Sequence, residues 1–110
     1  MTQVRRHGSL IRLRPEHEEE YLRLHAAVWP SVLEMITDCN IRNYSIYLHD
    51  GLLFSYFEYV GDDYDADMAR MAADPQTRRW WELTDPCQEQ TPGAPDGQWW
   101  TPMTEVFHHD

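Results

Sequence analysis

The sequence predicts an α+β fold in which strands and helices follow one another as strand, helix, strand, strand, helix, strand, and three features carry that reading. Between Tyr21 and Ile36 apolar residues recur at spacings of three and four, the period of a helix with one buried face. Two segments rich in tyrosine, isoleucine and phenylalanine, Ile41 to Leu48 and Leu52 to Val60, flank the short polar link His49, Asp50, Gly51 and read as a hairpin. Strand-like runs stand near both ends of the chain, at Leu10, Ile11 and Leu13 and again from Met103 to His108. With 110 residues and 13.1 kDa there is material for one compact core, so residues 1–110 are read as a single domain.

The first strand, Arg5 to Leu13, is stopped by Pro15, which disfavours helical geometry at Arg14 but suits a first helical position. Glu16, Glu18, Glu19 and Glu20 then favour the positive end of a helix dipole. The stripe that follows includes Tyr21, Leu22, His25, Val28, Trp29, Val32, Leu33 and Ile36. Pro30 lies inside it, so a kink or short break is expected after Trp29, with helix resuming toward Asp38. After the hairpin, Asp62, Asp63 and Asp65 precede Met68, Met71 and Ala72, which predicts a second helix ending near Asp74 and Pro75. The segment Gln76 to Asp85 is polar and aromatic without clear period. A loop punctuated by Pro86, Pro92, Gly93, Pro95 and Gly97 then leads to Trp99 and Trp100. It is long for a small domain, and such loops are usually functional or disordered.

This order is the split βαβ arrangement of ferredoxin-like βαββαβ domains, an antiparallel sheet with the helices on one face. The hairpin strands are apolar or aromatic at nearly every position, so the opposite sheet face also needs a cover. A second copy packed sheet against sheet supplies one, and a homodimer is expected.

Composition narrows the chemistry. Nine basic against nineteen acidic side chains give a formal charge of −10, which disfavours nucleic acid and anionic membranes as partners. All nine basic residues are arginines, so there is no lysine for a Schiff base, a pyridoxal phosphate linkage or a phosphate-binding P-loop. The five glycines form neither a dinucleotide fingerprint nor a nucleophile elbow. Cys39 and Cys87 stand far apart and read as two buried thiols rather than a disulfide or a zinc motif. No signal-like or membrane-spanning apolar run is visible, and a cytoplasmic protein is expected.

Among residues able to carry chemistry, His25 sits in the middle of the apolar stripe, one turn after Tyr21. It reads either as a core histidine satisfied by a carbonyl or as a general acid or base on the floor of a pocket. Tyr44 and Tyr47, three apart on a strand, point to opposite sheet faces, so only one of them can join His25. Trp80 and Trp81 read as core packing or as indole plates for a neutral polyol. His108, His109 and Asp110 point in alternating directions on an extended end and read as a solvated tail rather than a metal site.

The runs EEYLRLHAAVWP and RNYSIYL, the tandem Trp80 and Trp81 with the following LTDPC, and the ending TPMTEVF resemble the L-rhamnose mutarotase family, in matching order over essentially the whole chain. The resemblance implies a dimeric ferredoxin-like α+β barrel. It also implies His25 as proton donor, and Tyr21, Tyr44, Trp80 and Trp81 at sugar-contacting positions. The implied reaction interconverts the α and β anomers of L-rhamnopyranose by acid/base ring opening and closure, with no cofactor and no metal. Histidine suits it because its ordinary pKa near 6.5 keeps both protonation states accessible. The partner base is expected to be a water, a tyrosine hydroxyl, or Glu105 arriving from the last strand. Alternative readings are a mutarotase for another 6-deoxy sugar such as L-fucose, a cofactor-independent monooxygenase or haem-degrading enzyme of the same barrel fold, and a sugar-binding module without catalysis.

Overall fold

In the computed structural model, which describes residues 4–110, strand β1 (Arg5–Leu13) runs along the middle of an antiparallel sheet and ends at the proline the sequence marks. Pro15 opens a single 3-10 turn, Pro15–His17, that feeds α1 (Glu18–His25), with Glu18, Glu19 and Glu20 in the first turn where the dipole favours them. The expected break occurs, and it begins one turn earlier than Trp29. Helix α1 stops at His25, and α2 (Pro30–Asp38) starts with Pro30 as its first residue. The pyrrolidine ring forces Trp29 into extended geometry, φ −61° and ψ 134°, so the stripe is divided between two short helices.

Asn40, at φ 66°, turns the chain out of α2 into β2 (Ile41–His49), and β3 (Leu52–Tyr59) returns beside it. Asp50 and Gly51 take φ 54° and 76°, the left-handed pair of a two-residue hairpin turn whose twist matches the strands. The β2–β3 ladder shifts register between Arg42 and Ser45, so that Asn43 and Tyr44 together oppose Phe57. Helix α3 (Tyr64–Ala73) begins where the acidic run predicts, with the Asp63 side chain accepting from Ala66 N–H at 3.1 Å. Gly61 leaves room for Tyr59: a Cβ there would lie 2.4 Å from the Tyr59 hydroxyl.

Two expectations are corrected. Residues 76 to 85 are not irregular, because α4 spans Pro75–Thr84. Asp74 caps it by accepting from both the backbone N–H and the hydroxyl of Thr77, each at 2.9 Å, and Pro75 occupies the first position. Its buried residues are Thr77, Trp80 and Thr84, a helical stripe disguised by two threonines. Nor is Met103 to His108 a strand. After a 3-10 turn (Asp85–Cys87), β4 (Gln88–Glu89) pairs with Arg12 and Leu13, and β5 (Thr101–Pro102) pairs with Ser9 and Leu10. Past the bond from Met103 N–H to the Gly8 carbonyl at 2.8 Å, the chain leaves the ladder, and Val106 and Phe107 stand 92% and 81% exposed.

The sheet order β2-β3-β1-β4, with β5 also on β1, is the ferredoxin-like one, so the α+β class read from the sequence holds. Register separates its faces. Ile11, Leu13, Leu53, Ile46 and Leu48 share the face that meets Tyr21 and Cys87 in one core cluster, and Ile41 joins Cys39 and Met71 in a second. Leu10, Tyr47, Phe54 and Tyr56 lie on the other face and belong to neither cluster. Cys39 and Cys87 are buried free thiols in different clusters.

Because Asp74 alone closes the start of α4, Asp74→Ala is expected to lower stability by about 1 kcal/mol. Asp74→Asn should keep most of it, as read by urea unfolding followed by circular dichroism.

Candidate active site

Between the inner sheet face and helices α1, α2 and α4 lies a cavity of about 610 Å³, a size that accepts a small molecule. His25 reaches it from the last turn of α1. The His25 ring stacks on Tyr21 at 4.2 Å between centroids and meets Trp80 edge-on at 5.4 Å. Its Nδ1 lies 2.9 Å from the Tyr21 backbone carbonyl, and a carbonyl only accepts, so Nδ1 carries a hydrogen. That leaves Nε2 as the atom able to take or give a proton. The two readings of His25 are thus combined: one nitrogen is satisfied by a carbonyl, and the ring lines the cavity.

Tyr21, Tyr44, Trp80 and Trp81 line the same cavity as His25. The bulge in β2 directs Tyr44 to the inner face, its ring 5.6 Å from that of Phe57, whereas Tyr47, which pairs with Phe54, lies on the outer face. Trp80 is 6% exposed and also packs edge-on against Trp29 at 5.3 Å, so it is both cavity wall and core; Trp81 is 36% exposed. Burial pushes the Tyr21 phenol well above its ordinary pKa, outweighing the lowering effect of a hydrogen bond from Gln88, and desolvation raises Tyr44 as well. Both hydroxyls are therefore un-ionised near neutrality.

Glu105 does not join this group. It forms a two-pronged ion pair with Arg6, at 2.7 and 3.2 Å, and Arg6 projects from the opposite face of β1 to Ile11. Sequence reasoning also missed a residue that matters. Gln88 is 4% exposed, donates through Nε2 to the Tyr21 hydroxyl at 3.1 Å, and accepts from Trp99 Nε1–H at 2.7 Å. The signal available was a glutamine directly after LTDPC, which no period marks. Among the described residues, His17, Glu20 and Cys87 could hold a metal, with ligand atoms within 4.8 Å of one another. None of the three lines the cavity.

The fold and the cavity define a ferredoxin-like α+β protein with an interior cavity lined by aromatic rings and a histidine. A crystal structure of an L-rhamnose mutarotase from Formosa agariphila superimposes with a TM-score of 0.73 at 21% identity, over 96% of this chain and 99% of that one. A tetracenomycin F2 cyclase from Streptomyces glaucescens, a type-II polyketide cyclase, shares the fold at a TM-score of 0.68 and 14% identity, over 96% and 95% of the two chains. In sequence, the chain is 33% identical over 100 residues to an L-rhamnose mutarotase of Phocaeicola vulgatus, covering 89% of this chain and 91% of the other. It is 27% identical to one from Oceanobacillus iheyensis, over 97% of this chain and all of that one. The family model described as L-rhamnose mutarotase matches residues 6–109. The chain belongs to the L-rhamnose mutarotase family.

The different burial of the two indoles has a measurable consequence. Trp80→Ala should cost about 3–5 kcal/mol of stability and Trp81→Ala only a fraction of that, which urea denaturation of the two variants will compare directly.

Proposed function

We propose that the protein is an L-rhamnose mutarotase, an isomerase that interconverts the α and β anomers of L-rhamnopyranose, with His25 as its proton donor. The observation that carries this reading is the fixed imidazole: Nδ1 is committed to the Tyr21 carbonyl, which leaves Nε2 for proton transfer in a cavity walled by Tyr21, Tyr44, Trp80 and Trp81. The family match and the relatives of the same name support it.

Ring opening needs a proton delivered to the ring oxygen and one removed from the anomeric hydroxyl; closure on the other face of the aldehyde reverses both. His25, as imidazolium, delivers the first through Nε2 and regains it on closure. Tyr21 and Tyr44, whose phenols are un-ionised near neutrality, donate hydrogen bonds to the sugar rather than take protons from it. With Glu105 bound to Arg6, water is the acceptor for the second proton. The indoles of Trp80 and Trp81 offer flat apolar surface to the C–H face of the pyranose. Only C–O and O–H bonds change, so the reaction as written calls on no cofactor.

We further propose a homodimer built on the outer sheet face, and a cytoplasmic location. Tyr47, Val106 and Phe107 are exposed there or beyond the end of the ladder, an apolar group that a second copy would cover. Two buried free thiols fit a reducing compartment, and no helix among the described residues is long and apolar enough to cross a membrane.

His25→Ala should remove the acceleration of anomer exchange, a loss of about 10²–10⁴-fold, with the fold intact. Saturation-transfer NMR between the anomer signals of L-rhamnose, L-fucose and related 6-deoxyhexoses measures it, with spontaneous exchange in water as the floor. Undiminished exchange in the variant would remove His25 from the role of donor, and acceleration confined to another 6-deoxyhexose would move the substrate assignment. Light scattering at micromolar concentration should give twice the mass of the 13.1 kDa chain, more firmly as salt screens the repulsion between two copies at −10. A monomeric mass would refute the dimer.

A further inference from the structure

The long loop before Trp99 and Trp100 ends in a contact that reaches the candidate site. An indole nitrogen carries a hydrogen and can only donate. The 2.7 Å bond from Trp99 Nε1 to Gln88 therefore identifies the amide atom it meets as the oxygen, and the atom facing Tyr21 as the nitrogen. An amide nitrogen likewise only donates, so the Tyr21 hydroxyl uses a lone pair to accept from Gln88 at 3.1 Å. Its own proton cannot go to Gln88 and is left for another acceptor. Gln88 and Tyr21 are both buried, which keeps bulk water from exchanging these partners.

We infer that Trp99 and Gln88 are positioning residues that act through Tyr21, fixing its hydroxyl as a hydrogen-bond donor to an oxygen of the molecule in the cavity. On the mutarotase reading, on which this rests, that oxygen belongs to the pyranose. The loop that carries Trp99 is thus tied to substrate orientation. Its indole fixes the amide, the amide fixes the phenol, and the phenol presents one defined polarity. The chain of three side chains spans β4, the loop before β5, and α1.

Two variants test it. Gln88→Glu keeps the shape but places a carboxylate oxygen, an acceptor, against Tyr21, so the phenol turns its proton toward residue 88 and offers lone pairs to the ligand. The expected result is a fall in kcat/KM for anomer exchange of about tenfold, the scale of one misdirected hydrogen bond. Trp99→Phe, at a partly exposed ring, frees the amide to rotate and should cost about threefold. It also serves where the glutamate variant is poorly folded by circular dichroism. In a Tyr21→Phe background neither substitution should have a further effect, a non-additivity that loss of packing alone would not produce. Wild-type kcat/KM in folded Gln88→Glu, or an equal drop with Tyr21 already replaced, would overturn the inference. A substrate-free measurement separates it from the mutarotase reading. In the labelled wild-type protein, the Gln88 side-chain amide protons should show nuclear Overhauser contacts to the Tyr21 ring. Contacts to the Trp99 indole proton instead would refute the orientation whatever the activity. A wild type that accelerates no hexose would sink the mutarotase reading alone, with the amide orientation judged by those contacts.

Discussion

Burying a phenol in an apolar cluster is costly unless its hydroxyl finds a partner, and in this chain the cost falls on Tyr21, which is 3% exposed among Ile11, Leu13, Leu53 and Cys87. The partner is Gln88 on β4, a two-residue strand whose pairing with Arg12 and Leu13 holds the amide beside α1. The rest of the site follows from that anchorage. With Tyr21 held, its carbonyl fixes the His25 ring four residues on, and its aromatic face gives that ring a surface to stack on. Helix α1 has eight residues and could not be stable alone, so the buried tyrosine is also what keeps it against the sheet.

The cavity exists because the first helical stripe is cut in two. A continuous helix from Glu18 to Asp38 would lay Tyr21, His25, Val32 and Ile36 along one line against the sheet. With Pro30 as the first residue of α2, the chain opens at Ala26–Trp29, and Trp29 turns to meet Trp80 of α4. Proline at a first helical position recurs at Pro15 and Pro75, each ending one direction of the chain without sacrificing a hydrogen bond that a helix would have used. Tyr44 is supported from the sheet side by a column of rings: Phe57 behind it, then His7 at 4.8 Å, then Tyr64 at 4.7 Å. Burial and the nearby Arg5 lower the pKa of His7, which keeps that column neutral.

What was legible in the sequence was whatever one period or one breaker declares. The hairpin was declared by Asp50 and Gly51, the divided stripe by Pro30, and α3 by its acidic start. Helix α4 was not, since the stripe Thr77, Trp80, Thr84 counts as polar by composition and adjacent Arg78, Arg79, Trp80 and Trp81 blur any period, although Asp74 and Pro75 were a sufficient start signal. The final strand failed for a different reason. Alternation in TPMTEVF describes a chain able to pair, but the edge of β1 is already shared by β4 and β5, and among the described residues no strand pairs with the chain beyond Met103. His25, Tyr21 and the tandem tryptophans were visible as residues out of keeping with an ordinary apolar face. The choice of Tyr44 over Tyr47 followed from the resemblance and agrees with the bulge, which period-two counting does not contain. Gln88 was invisible because its role comes from two partners distant in sequence, Tyr21 and Trp99.

The fold by itself leaves the chemistry open, since a polyketide cyclase shares it. The side chains lining this cavity decide more. Among the described residues that line it, none is aspartate or glutamate, although the chain as a whole stands at −10. Its polar groups are hydroxyls, an amide, an imidazole and, at the β2 end, Arg42, whose guanidinium is turned to the carbonyls of Thr37 and Ile41. A cavity of that kind offers hydrogen bonds and flat aromatic surface, the chemistry that suits a neutral polyol, which is the ligand class proposed above. On the proposed reaction it would also separate two tasks that a carboxylate would merge: the un-ionised phenols would orient the ligand, and the imidazole would be the side chain that moves a proton. On that reading one imidazole serves both directions, giving its proton on opening and regaining it on closure.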